Sequence, residues 1–305
     1  MVWKDRRRAA QPHPFDFAET PGLSRSEPPP NSVRNLRSEP PSNRLRDAPS
    51  APPPPSGGNG PVTPTRRDSF FAIQQIVQPE DLRVVFQPIV DLVTGRLFAY
   101  EALVRCRHAT PPELFEHAHA TGCVGRLGRM VREVAVPLGA GLPIFLNVHP
   151  GELDAPWLVR PDDPIFAHDH DVFLEITESV PMAHFDLCIN VLRELRARGG
   201  VHLVVDDLGA GYSNLKSIAD LEPRIVKLDR GLVAGIHRSL RQQRLVSSVV
   251  RLCHDLDATV VAEGIETHDE YSILVDTGAQ LGQGFLFARP GFPMPDVAWP
   301  PLAAV

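Results

Sequence analysis

The sequence predicts a closed (β/α) barrel behind a disordered, proline-rich tail. Three observations carry this reading. Residues 1–68 hold 15 of the chain's 32 prolines and few branched apolar or aromatic residues. From about Phe70 onward, eight apolar strand-like runs alternate with helical patterns. Polar and ionisable residues fall near the ends of nearly every run, as they do where barrel strands meet at one mouth.

The tail is justified by composition. "EPPPNSVRNLRSEPPSNRLRDAPSAPPPPSGGNGPVTP" cannot bury enough surface to offset the entropy of ordering it. Its near-repeat "SEPPPN"/"SEPPSN" is low complexity rather than a solenoid unit. Pro52–Pro55 favours polyproline II, which a partner could dock, and "TRRDSF" resembles a basic-directed phosphorylation site. The expected organisation is a tail over 1–68, a barrel over 69–295 and a short C-terminal tail over 296–305.

Charge divides at the same place. The tail carries 11 Lys+Arg against 7 Asp+Glu, so the net −6 of the chain hides a basic tail on an acidic body. An acidic body argues against binding a DNA or RNA polymer through its phosphates. It suits a cleft whose carboxylates hold cations. The start "MVWKDRRRAAQPHPF" has no apolar stretch behind its basic residues, and no run approaches about 18 apolar residues. No membrane segment is expected. Cys106, Cys123, Cys188 and Cys253 form no CxxC pair, so reduced thiols and a cytoplasmic location are expected.

The strand runs are 82–90, 97–105, 143–149, 171–178, 202–207, 224–230, 258–266 and 281–290. Helices are expected over 112–121, 124–139, 183–198, 213–221, 232–257 and 268–277, with Gly199–Gly200 and Gly278 as stops. Strand–helix alternation points to a mostly parallel sheet. Eight strands between Phe70 and about Phe292 close into a barrel more readily than they extend as an open sheet.

The strand ends bear Glu101 and Arg105, Asn147, Glu175 and Glu178, Asp206 and Asp207, Lys227 and Asp229, Glu263 and Glu266, and Gln283. In "YEALVR", Glu101, Leu103 and Arg105 share one face of a strand. Glu101 suits a hard divalent metal and Arg105 a phosphate oxygen. A structural Glu101–Arg105 pair explains the same stretch. In "VVDDLGAG", Asp206 and Asp207 repel unless cations face them, with Asp206 able to bridge two. Both can face one site only if the chain turns there, a turn that Gly209, Ala210 and Gly211 allow. An Asx-turn into a helix at Ser213 is the other reading.

Taken in order, "FQPIVDLVTGRLFAYEALVR", "FLNVHP", "LEITES", "VDDLGAGYSNL", "VKLDR", "VVAEGIET" and "LGQGFLFARP" resemble the EAL domain family. That family hydrolyses cyclic di-GMP to linear pGpG on a (β/α)8 TIM-like barrel with an antiparallel first strand. The resemblance implies metal ligands at Glu101, Asn147, Glu175, Asp206 and Asp207, for two divalent cations, Mg2+ or Mn2+. It implies that Lys227 orients the attacking water and that Glu263 is a general base or water ligand. Gln87, Leu103, Arg105 and Gln283 would contact substrate, and Glu178 would steady the loop after the aspartate pair. Where the family reads DDFGTGYSS, this chain has Leu208, Ala210 and Asn214. That change leaves the metal ligands in place but removes a hydroxyl that could brace the loop. The stretch "RCRHATPPELFEHAHATG" lacks the family's tryptophan and bears on guanine contacts.

The expected chemistry is two-metal phosphodiester hydrolysis, with the ions about 3.5–4 Å apart. No GxxxxGK[ST] motif is present, which argues against a P-loop nucleotidase. The alternatives are a silent EAL-like receptor for cyclic di-GMP, a scaffold whose Pro-rich tail binds a signalling partner, and an unrelated barrel hydrolase. A homodimer stays open.

Overall fold

A computed structural model of the 305-residue chain describes residues 77–153, 158–177, 185–210 and 215–299. The proline-rich tail over 1–68 and Glu178 lie outside the described residues, as do Gly211 and Asn214 of the altered loop.

Eight strands close into one barrel in sequence order. They are β1 (Leu82–Asp91), β2 (Leu97–Cys106), β3 (Ile144–Asn147), β4 (Val172–Thr177), β5 (Val201–Leu208), β6 (Ile225–Leu228), β7 (Thr259–Ala262) and β8 (Leu281–Gly282). β1 runs antiparallel to both β2 and β8, and every other neighbouring pair is parallel. The helices are α1 (Pro111–Ala120), α2 (Val124–Leu138), α3 (Phe185–Ala197), α4 (Leu215–Leu221), α5 (Arg230–Val233), α6 (Leu240–Asp255) and α7 (His268–Thr277).

Local chemistry sets the boundaries. Thr267 and Glu270 form a reciprocal capping box at α7, and at α1 the Thr110 backbone N and hydroxyl both donate to Glu113 Oε2. The expected helix over 232–257 is broken. α5 ends at Val233, Gly235 adopts φ 69°, and a 3-10 turn at Ile236–Arg238 precedes the Ser239 cap of α6. A left-handed residue cannot continue an α-helix, and glycine takes that conformation without a Cβ penalty. The last strand is also shorter than expected. It ends at Gly282, and Phe287 N donates to Gly284 O at 3.1 Å as the chain turns away.

The barrel interior follows from the two-residue period of a strand. Ile89, Ala99, Phe145, Phe173, Val204, Ile225, Val261 and Leu281, one from each strand, form a single buried apolar cluster. On β2 to β8 the residue two positions further on is Glu101, Asn147, Glu175, Asp206, Lys227, Glu263 and Gln283. On the reversed β1 it lies two positions earlier, at Gln87. Side chains two apart share a face, so an apolar plug carries a polar ring above it. The larger apolar core lies between strands and helices. It extends to Trp299, whose ring stacks on Phe287 with centroids 5.8 Å apart.

Candidate active site at the barrel mouth

The polar ring surrounds one ammonium group. Lys227 is 1% exposed. Its Nζ lies 2.5 Å from Glu263 Oε1, 2.6 Å from Glu175 Oε1, 3.4 Å from Asp206 Oδ1 and 3.6 Å from Glu101 Oε2. Two amides brace the ring. Asn147 Nδ2 donates to Glu101 Oε1 at 3.1 Å, and Gln283 Nε2 donates to Glu101 Oε2 at 2.7 Å. Gln283 Nε2 also reaches Gln87 Oε1 at 3.3 Å, while Gln87 Nε2 donates to Ala288 O at 3.1 Å.

Asp207 joins the ring by a backbone irregularity. It has φ 59°, and the β5–β6 register shifts between Val205 and Leu208. This φ is uncommon for a residue with a side chain, though aspartate tolerates it better than most. The expected turn therefore exists, but Asp207 itself makes it, one residue ahead of Leu208 and before the glycines. As a result, oxygen atoms of Asp206, Asp207 and Glu263 all lie within 4.8 Å of one another.

Electrostatics shows what this ring lacks. Burial works to lower the Lys227 pKa, but Glu101, Glu175, Glu263 and Asp206 outweigh it and hold the amine well above its usual value. Burial tends to raise the pKa of Glu101, but Lys227 and the Gln283 and Asn147 amides bring it below the ordinary value. Burial, reinforced by Glu101, pushes Glu175 well up. Burial also lifts Glu263 to about 8, with Asp206 and Glu101 adding to it and Lys227 opposing. Asp207 rises to about 6 through burial and the charge on Asp206. Five carboxylates thus face one ammonium, a formal excess of four negative charges. That is the charge two divalent cations neutralise. In addition, Glu175 Oε2 and Gln283 Oε1 are buried with no hydrogen-bond partner among the described residues. Buried acceptors left unpaired are costly, so these atoms fit a site built for a cation. The donors are hard oxygens, the preference of Mg2+ or Mn2+.

The ring opens into a cavity of about 330 Å³ lined by Gln87, Glu101, Leu103, Asp206, Asp207, Lys227, Glu263 and Gln283. Sequence reasoning did not single out Phe285, 44% exposed at the mouth with Arg289 stacked on its ring. It also left Arg230 unassigned; this arginine pairs with Glu266 at 2.9 Å beside the cavity. The adjacency of Phe285 to Gln283 was the available signal. Asp229, another strand-end carboxylate, caps α5 by accepting from Gly231 N at 2.8 Å.

Arg105 is not brought into the ring. It is exposed, and its Nη1 donates to Val104 O at 2.8 Å rather than pairing with Glu101. It lines a second cavity of about 450 Å³ that shares Glu101 and Leu103 with the first. Phe115 and His149 stack in the wall of that second cavity, with ring planes 9° apart.

The barrel, its antiparallel first strand and the carboxylate ring define a (β/α)8 barrel with an acidic site at its mouth that suits divalent cations. The chain belongs to the EAL domain family, whose family model matches residues 72–290. Cyclic di-GMP phosphodiesterase PA2567 of Pseudomonas aeruginosa is 35% identical over 237 residues, 72% of this chain and 40% of that protein. The chain thus spans well under two thirds of that relative's length. Among solved structures, the calcium/cy-diGMP complex of Klebsiella pneumoniae BlrP1 matches with TM-score 0.63 at 35% identity, covering 70% of this chain and 57% of that one. The PaMucR phosphodiesterase–c-di-GMP complex matches with TM-score 0.63 at 28% identity, covering 73% of this chain and 97% of that one. No helix among the described residues is long and apolar enough to cross a membrane.

Proposed function

We propose that this chain hydrolyses cyclic di-GMP to linear pGpG with two divalent cations, Mg2+ or Mn2+. The observation that carries the reading is the four carboxylates around Lys227 with Asp207 beside them, and a buried Glu175 oxygen that has no hydrogen-bond partner among the described residues. Glu101, Asn147, Glu175, Asp206 and Asp207 would hold the cations. When bound, such ions polarise a phosphoryl oxygen and acidify a water.

The chain's own residues do the rest. The Lys227 ammonium lines the cavity and would orient the water that attacks phosphorus. Glu263 lines the same cavity, and as a carboxylate beside the cations it would take that water's proton. As the new P–O bond forms, the ester P–O bond opposite it breaks, and the leaving ribose oxygen takes a proton from solvent and stays on linear pGpG as a hydroxyl. Gln283 and Gln87 hold Glu101 in place. Leu103 connects the two cavities, and Arg105 would swing from the Val104 carbonyl to a phosphate oxygen. To this reading belong a cytoplasmic location, a homodimer, a signalling partner for the proline-rich tail, and a bracing role for Glu178.

Incubating the purified chain with cyclic di-GMP and Mg2+ or Mn2+ tests it, with pGpG as the expected product. Tight binding with no product would make the chain a silent receptor instead. Neither binding nor product would overturn the reading.

A further inference from the structure

A second buried polar cluster lies behind the wall of the second cavity. Arg132, in the middle of α2, is 1% exposed. Its Nη1 donates to Glu152 Oε2 at 2.6 Å, and its Nη2 and Nε donate to Asp163 at 2.9 and 3.1 Å. Both carboxylates come from the β3–β4 connection and are buried. A buried ion cluster is weak evidence for stability, since apolar side chains of similar volume often serve as well. Its geometry indicates another use.

Glu152 has a second contact. Its Oε1 accepts from the His149 backbone N at 3.0 Å. His149 follows the proposed ligand Asn147 by two residues, and its ring stacks on Phe115 of α1 with centroids 5.9 Å apart. Helix α2 makes room for this contact. A Cβ on Gly128 would lie 1.9 Å from Glu152 Oε2. Glycine inside a helix is less stable than alanine, so at Gly128 α2 gives up propensity where the carboxylate approaches.

We propose that Arg132, acting through Glu152, is a positioning residue for substrate. It fixes the His149–Phe115 wall and so sets affinity for the part of the dinucleotide lying away from the carboxylate ring. This rests on the cyclic di-GMP reading above. Two variants of the full chain displace the contact by different routes: Glu152→Gln places an amide where two donors converge, and Gly128→Ala drives the carboxylate out. Arg132→Lys keeps the charge with a single ammonium in place of the fork.

The assay is steady-state kinetics with cyclic di-GMP and Mn2+, Mn2+ calorimetry, and NMR of the histidine rings. Glu152→Gln and Gly128→Ala should raise KM about tenfold with kcat within about twofold, a misplacement effect on binding. Mn2+ affinity should not change, the His149 ring signals should leave their Phe115-stacked positions, and Arg132→Lys should fall between wild type and Glu152→Gln. Unchanged KM in folded variants, or unchanged His149 signals, overturns the proposal. If the wild-type chain neither binds nor cleaves cyclic di-GMP while the His149 signals still move, the functional reading fails and the positioning of the wall stands.

Discussion

Lys227 Nζ lies 2.5 Å from Glu263 Oε1, the shortest of the four carboxylate contacts this buried ammonium makes among the described residues. Among the described residues the amine is the ring's counter-charge, and Glu263 is one of the carboxylates that line the cavity with it. Several consequences can be measured.

Removing the amine leaves the carboxylates without their counter-ion. Lys227→Met should destabilise the metal-free chain by about 3–5 kcal/mol at pH 8, as for breaking a buried pair. At pH 6 the loss should be smaller, because a proton taken up by Glu263, whose pKa lies at about 8, replaces the missing charge. Chemical denaturation in EDTA at both pH values reads this. An equal loss at the two values would show that Lys227 does not compensate the ring.

The wild-type chain should itself be pH-sensitive without metal. The folded pKa values of Asp207 and Glu263, about 6 and about 8, exceed their ordinary 3.8 and 4.5. The folded state therefore binds these protons more tightly, and stability falls as pH rises from the carboxylate range through 6 and 8. Cations displace those protons. The rise in Tm on adding Mn2+ should thus be larger at pH 8 than at pH 6 and accompanied by proton release at pH 6–7. A gain in Tm independent of pH would contradict the ring's assignment as the cation site.

Arg105 should matter for substrate and not for metal. Its guanidinium lines the second cavity, and its Nη1 donates to its neighbour's carbonyl. Arg105→Ala should lower kcat/KM at least about tenfold, the loss of a charge-assisted bond, while Tm and Mn2+ affinity stay unchanged. Kinetics equal to wild type would remove it from the substrate contacts.

Much of this site was legible in the sequence because a strand has a period of two. Val204 and Asp206, or Ile225 and Lys227, announce an apolar plug with a polar ring above it once eight strands are assumed to close. What was not legible depends on contacts between distant segments. The position of the turn that aims Asp207 inward depends on the β5–β6 register shift, which "VVDDLGAG" alone does not encode. The break at Gly235 hides in a run that reads as one amphipathic helix. The Arg132–Glu152–His149 relay joins α2 to the chain after β3, and no local motif spans it. Arg105 is the reverse case: strand parity puts it on the inward face, but beyond the plug it is free to turn its side chain to the Val104 carbonyl.

The C-terminal segment supplies a control away from the chemistry. Trp299 stacks on Phe287, meets Tyr271 edge-on and covers Gly95 of the β1–β2 turn. Trp299→Ala should cost up to about 3 kcal/mol and lower Tm, since it removes a large packed ring. Kinetic constants below the transition should match wild type. A change in kcat at constant fold would mean that this packing reaches the barrel mouth.

The most direct measurement of the central claim compares wild type with Asp207→Asn, using cyclic di-GMP and Mn2+. Product is followed by chromatography, and ligand binding by calorimetry in Ca2+. Asparagine keeps the shape of the side chain that the φ 59° turn brings into the ring, but not its charge. Wild type should form pGpG, and Asp207→Asn should form none while still binding cyclic di-GMP, because the remaining ligands and Arg105 hold the phosphates. Hydrolysis by Asp207→Asn at the wild-type rate would contradict the two-cation site and return "VVDDLG" to a turn with a helix cap.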